Sequence, residues 1–147
     1  MRQTHSDQAN RAVFARLMAQ ESVSGWSMLL ALVGYAILKR LDAAAERGSE
    51  FAAKTAAGMR AKSPTSLSLA FEQVRRGAAM DFEDAMRTEF RVVSRIGDGH
   101  DFHEGVRAVL IDKDNRPTWQ PASLESVEKA AIERHFAGLG DRELEIA

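Results

Sequence analysis

The hydrophobic positions of this chain recur at helical intervals, and strict two-residue alternation of the strand type is almost absent. Val13, Phe14, Leu17 and Met18 share one face of a first segment over 6–20, with Ser6 or Asp7 placed to cap it. Residues 22–38 carry no charge, and the helix they predict runs on through Leu41 to a stop at Gly48. Ser49 caps the next helix, which Ser63-Pro64 closes, because the residue before proline is pushed out of α geometry. Ser63 then caps a helix whose apolar face is Leu67, Ala70, Phe71 and Val74. Asp81, with Asp84 three residues on, opens a further helix with Phe82, Ala85, Met86, Phe90 and Val93 on one side, ending at Gly97. Asp101 and Glu104 form a similar pair ahead of Phe102, Val106, Val109 and Leu110, and a polar turn follows over 112–117. Ser123 is expected to cap a long last helix that buries Leu124, Val127, Ala131 and Ile132.

The pattern predicts an all-α chain of about six amphipathic helices in an open assembly. Its 147 residues suit one domain-sized body and a core without covalent staples. The absence of cysteine excludes disulfides and thiolate chemistry, and it is compatible with the expected cytoplasmic location. With 20 basic and 21 acidic residues intermixed, the net charge of −1 gives no footprint for nucleic acid. The uncharged run 22–38 only reaches the lower limit of a membrane span and is diluted by Ser and Gly, so a buried or interface helix is expected rather than membrane attachment.

Candidate chemistry is sparse. His100 and His103, three apart among Asp98, Asp101 and Glu104, invite a metal, but His5 and His135 are remote and no metal site is expected. Asp112-Lys113-Asp114-Asn115 opens like a calcium loop, yet Pro117 and Ser123 stand where that loop needs glycine and glutamate. No Gly-x-Ser-x-Gly elbow accompanies Ser63, Ser66 or Ser68. Gly97-Asp98-Gly99 lacks the lysine of a phosphate loop, and Glu83, Asp84 and Glu89 lie among arginines on a solvated helix face. The sequence shows no catalytic residues and no self-contained active site.

Three stretches in order carry a resemblance: Lys62-Ser63-Pro64-Thr65-Ser66-Leu67, then Glu89-Phe90-Arg91, then Glu104-Gly105-Val106-Arg107-Ala108-Val109-Leu110-Ile111-Asp112-Lys113-Asp114 with Pro117, Trp119 and Pro121. Together they resemble the C-terminal portion of 3-hydroxyisobutyryl-CoA hydrolases, of the crotonase (enoyl-CoA hydratase/isomerase) superfamily, from about Ser49 to Leu144. On this basis 1–48 is expected to be a divergent helical segment and 49–147 the family-like region. The resemblance implies hydrolysis of an acyl-CoA thioester in valine breakdown, with coenzyme A entering as part of the substrate and no separate cofactor. It also implies a β/α crotonase core that supplies the oxyanion hole and acidic residues, and no motif for that core stands before Ser49. The chain is therefore expected to be a truncated, split or frame-altered piece, not catalytic alone, that covers the CoA site and packs subunits. Lys113 and Arg107 are the residues the resemblance offers as CoA phosphate contacts, and Trp119 is expected to be a packing anchor. The partners implied are a crotonase core in trans or further copies of the chain. The alternative is a free-standing helical interaction module with 26–38 as its surface.

Overall fold

The computed structural model describes residues 29–146, and among these the architecture is all-α, with no strand. Six α-helices follow one another: α1 (Leu29–Glu46), α2 (Glu50–Arg60), α3 (Pro64–Gly77), α4 (Phe82–Ile96), α5 (His100–Val106) and α6 (Lys129–Phe136). The first amphipathic segment and most of the side chains of the uncharged run lie outside the described residues. No helix among the described residues is long and apolar enough to cross a membrane.

Local chemistry sets the helix ends. Gly48 turns the chain at φ +90°, and its N–H donates to the Ala45 carbonyl at 2.8 Å. Ser49, Ser63 and Asp81 cap α2, α3 and α4 by accepting the N–H of Ala52, Ser66 and Asp84. The hairpin of α1 and α2 closes over Leu41, Ala52 and Ala56, with Ile37, Leu38 and Met59 packed against them. The two alanines let the helix backbones approach closely, and Arg60 at the end of α2 pairs with Asp42 on α1 at 2.6 Å.

A second core joins α3, α4 and α6 through Leu69, Val92, Val127, Ile132 and Phe136. Here the inward faces differ from the expected ones. On α3 the buried residues are Pro64, Ser68, Leu69 and Glu72, whereas Val74 is 59% exposed. On α4 they are Thr88 and Val92, whereas Phe82 is 76% exposed. The inward turn of α3 is possible because Glu72 is paired: both Arg75 and Arg76 donate to its carboxylate, and Arg76 also reaches Glu133 on α6 at 2.7 Å. Burial pushes the Glu72 carboxyl up, but the hydrogen bonds and charges of Arg75 and Arg76 outweigh it and hold it below the ordinary value. The Arg76 guanidinium lies 4.0 Å from the Phe136 ring centroid, so one side chain joins the ion pairs to the core.

The last helix is also shorter than expected. Ser123 bonds no helix N–H; a 3₁₀ turn, Leu124–Ser126, precedes an extended Val127, and α6 starts only at Lys129. Leu124 and Val127 are both buried, as the periodicity predicts, but the bend between them is what lets each reach the interior. Arg95 on α4 holds the end of α6 by donating to the carbonyls of His135 and Gly138, and Arg91 pairs with Glu143 in the tail.

Candidate functional site

The segment with the most particular order of residues also makes the densest polar cluster. α5 begins without a side-chain cap, since Gly99 occupies that position. Asp101 and Glu104 do not form the expected box; they face the segment after the polar turn. Pro117 and Pro121 flank that segment and lack N–H donors of their own, and the N–H groups between them turn to side-chain carboxylates. Glu104 accepts the Thr118 N–H at 2.7 Å, and Asp101 accepts the Gln120 N–H at 2.8 Å. Residues three apart on a helix share a face, and so do those two apart on an extended strand. Asp101 also accepts from the Ser63 hydroxyl, which links the cap of α3 to α5, and lies 3.0 Å from His100 Nδ1.

Arg107 organises the turn. Its guanidinium donates twice to Glu104, at 2.8 and 2.9 Å, then to Asp112, to Asp114 at 2.9 Å, and to the Arg116 carbonyl at 3.2 Å. The helix widens there into a π turn, Arg107–Ile111, closed by the Asp112 N–H on the Arg107 carbonyl at 2.8 Å. Arg107 and the Thr118 N–H together draw the Glu104 carboxyl down to about 2. The Arg116 N–H and then Arg107 lower that of Asp114, and the three carboxylates, Glu104 first, raise Arg107.

Of the two expected phosphate contacts, Arg107 thus has its donors taken by carboxylates and a carbonyl, whereas Lys113 is exposed at the tip of the turn with φ +55°. Trp119 anchors the segment as expected. Its Nε1–H donates to the Ala61 carbonyl at 3.2 Å, and its ring covers Gly105, where an added Cβ would sit 3.5 Å from the indole. Gly105→Ala is therefore tolerated, and Gly105→Leu displaces the ring. In a Trp26→Phe background the leucine variant shifts Trp119 emission to longer wavelength; unchanged emission would refute this packing.

Between the start of α3, α5 and this segment lies an open cleft of about 840 Å³, whose walls include Lys62, Leu67, Phe102, Val109, Leu110 and Trp119. Its size and mostly apolar walls suit a small-molecule subsite, and Lys62 supplies a cation at the rim. Among the described residues no three His, Asp or Glu side chains converge as a metal site, and His103 stacks edge-on to Phe102 instead. Periodicity missed Asp101 and Glu104 as tethers because a helix start explains the same pair.

The enoyl-CoA hydratase/isomerase family matches residues 13–136, so the chain belongs to that family. The match begins upstream of Ser49, where the resemblance read from the sequence starts. Among curated relatives, the mitochondrial 3-hydroxyisobutyryl-CoA hydrolase of Gallus gallus is 46% identical over 99 residues, covering 67% of this chain and 26% of the relative. The Homo sapiens protein of the same name is 41% identical over 97 residues, covering 66% of this chain and 25% of its own. The chain thus spans about a quarter of the length of these relatives. A carnitinyl-CoA dehydratase from Mycobacterium thermoresistibile superposes with a TM-score of 0.64 at 31% identity, over 95% of this chain and 44% of its own. An enoyl-CoA hydratase from Rhodobacter sphaeroides 2.4.1 gives 0.67 at 26% identity, over 96% and 44%. The expected resemblance to 3-hydroxyisobutyryl-CoA hydrolases is found, and these similarities support an acyl-CoA hydratase or hydrolase family.

Proposed function

We propose that the chain is the C-terminal helical portion of a 3-hydroxyisobutyryl-CoA hydrolase-like protein, walling the CoA site and packing subunits, with the hydrolytic groups outside these 147 residues. The observation that supports this most is the 46% identity to a hydrolase over 99 residues that are only 26% of that enzyme. In this reading Lys113 meets a CoA phosphate as a mobile point charge, and Arg107 holds the turn that presents it. Residues 1–48 remain the divergent segment of the proposal, although α1 within it packs on α2 beyond it. A cytoplasmic location also stays part of the proposal, against relatives named mitochondrial, and cell fractionation decides between the two.

The test exchanges the matching 99 residues of the Gallus gallus hydrolase for those of this chain. The chimera is expected to hydrolyse 3-hydroxyisobutyryl-CoA within about tenfold of the parent, and Lys113→Ala in it to raise KM by about threefold to tenfold with kcat kept, as losing one charge-assisted contact predicts. The 147-residue chain alone is expected to give no turnover above a buffer blank. Turnover by the isolated chain, or a folded chimera with none, overturns the proposal.

A further inference from the structure

The sequence reads Phe82, Met86, Phe90 and Val93 as the buried face of α4, and the structure turns that face outward. These side chains are 76%, 40%, 38% and 62% exposed, while Thr88 and Val92 on another side of the helix enter the core. A helix that is apolar on two sides belongs between two layers, not at a water boundary. The stripe runs almost the length of the helix, and Val92, Arg91 and Arg95 hold its inward side fixed against α6 and the tail, so it is a rigid surface. Contiguous exposed apolar surface of this kind marks a site of association.

The lengths of the relatives indicate the occupant. Two solved structures superpose on 95% and 96% of this chain, yet the matched region is 44% of each of theirs. More than half of each has no counterpart here, and a helical layer that belongs against such a body must present it with an apolar face. We propose that the Phe82-Met86-Phe90-Val93 face of α4 is the seat on which the rest of a family-type enzyme body docks. This rests on the function proposed above and adds the face through which the helical portion joins its catalyst.

Hydroxyl-radical footprinting tests the docking without reference to turnover. Phe82, Met86 and Phe90 are expected to be modified readily in the isolated 147-residue chain and at least about fivefold more slowly in the chimera, as desolvation in an interface requires. Val74, 59% exposed on α3 and off the stripe, keeps its rate in both. The double substitution Phe82→Glu/Phe90→Glu should leave the helical content of the isolated chain unchanged, since both side chains are exposed there. In the chimera it is expected to lower turnover by at least about 100-fold, whereas Val74→Glu does not. Equal footprints in the two proteins overturn the docking, as does a chimera that aggregates with its stripe intact. Protection that appears in the isolated chain as its concentration rises, and is abolished by the double substitution, assigns the stripe to a second copy and also overturns it. A protected stripe in a folded chimera without turnover keeps the docking and removes the hydrolase assignment.

Discussion

Replacing Ile132 by alanine is expected to destabilise the fold by about 2–5 kcal/mol, the range for deleting a fully buried branched side chain that neighbours cannot fill in. Ile132 is 0% exposed and sits in a cluster that joins three helices, with Leu69 from α3, Val92 from α4, and Val127 and Phe136 flanking it in sequence. α6 has only 8 residues, too few to hold a helix without tertiary contacts. Once its anchor is cut back, the Arg76–Glu133 pair and the Arg95 bonds to its last turn lose the geometry that makes them worth having. A small domain has about 5–15 kcal/mol in total, so urea unfolding should move to a visibly lower midpoint with an unchanged slope. Ile132→Val, which removes a single methylene, should cost about 0.5–1.5 kcal/mol. A loss under about 1 kcal/mol for the alanine variant would mean that the joint is not where the chain is held together.

Much of the architecture is legible from neighbours in sequence, because the determinants are themselves local. Ser49, Ser63, Asp81 and Gly48 act within a few residues, and each does what its type and position predict. The inward faces of α3 and α4 are not legible that way. Glu72 can be buried only because Arg75, Arg76 and, through Arg76, Glu133 come together, and Glu133 is 57 residues from Arg76. On α4 the strongest apolar periodicity marks a face that the described helices leave uncovered, so amphipathicity does not by itself say which side of this helix enters the core. The polar cluster shows the same limit. Asp101 and Glu104 satisfy the rule for a helix start, and the longer-range use of Asp101, 38 residues from Ser63 and 19 from Gln120, competes with that rule and wins. The convergence of Glu104, Asp112 and Asp114 on Arg107 is likewise a matter of the folded turn and is not marked by any local pattern. The family motifs are legible as residues in order, but what they do locally, Gly105 under the Trp119 ring and Glu104 tethered to Thr118, is visible only once the segments are folded together.

That cluster sets a dependence on acid. Glu104 titrates at about 2 in the folded chain against an ordinary 4.5, and Asp114 is also lowered. A depressed carboxyl stabilises the fold above its unfolded pKa and loses that contribution as the pH falls toward the folded one. The raised Arg107 contributes at every working pH, since only alkali beyond the ordinary arginine range would discharge it. The window is therefore acidic, from about pH 4.5 down to about 2, and the tether loosens there by protonation of Glu104. The Thr118 amide, which donates to Glu104, should report this in an NMR titration with a midpoint near 2 instead of the ordinary 4.5. Arg107→Ala leaves Glu104, Asp112 and Asp114 close together without their shared cation, so the Thr118 midpoint should rise and its amide should exchange about tenfold faster at pH 7. Arg107→Lys should restore little, because one ammonium cannot reproduce five bonds directed at two sides of a turn. A Thr118 midpoint near 4.5 in the native chain, or unchanged exchange in the alanine variant, would show that Arg107 does not hold the turn. If it does hold the turn, Lys113 is presented by a rigid loop, and any contact it makes with an anion begins from a fixed position.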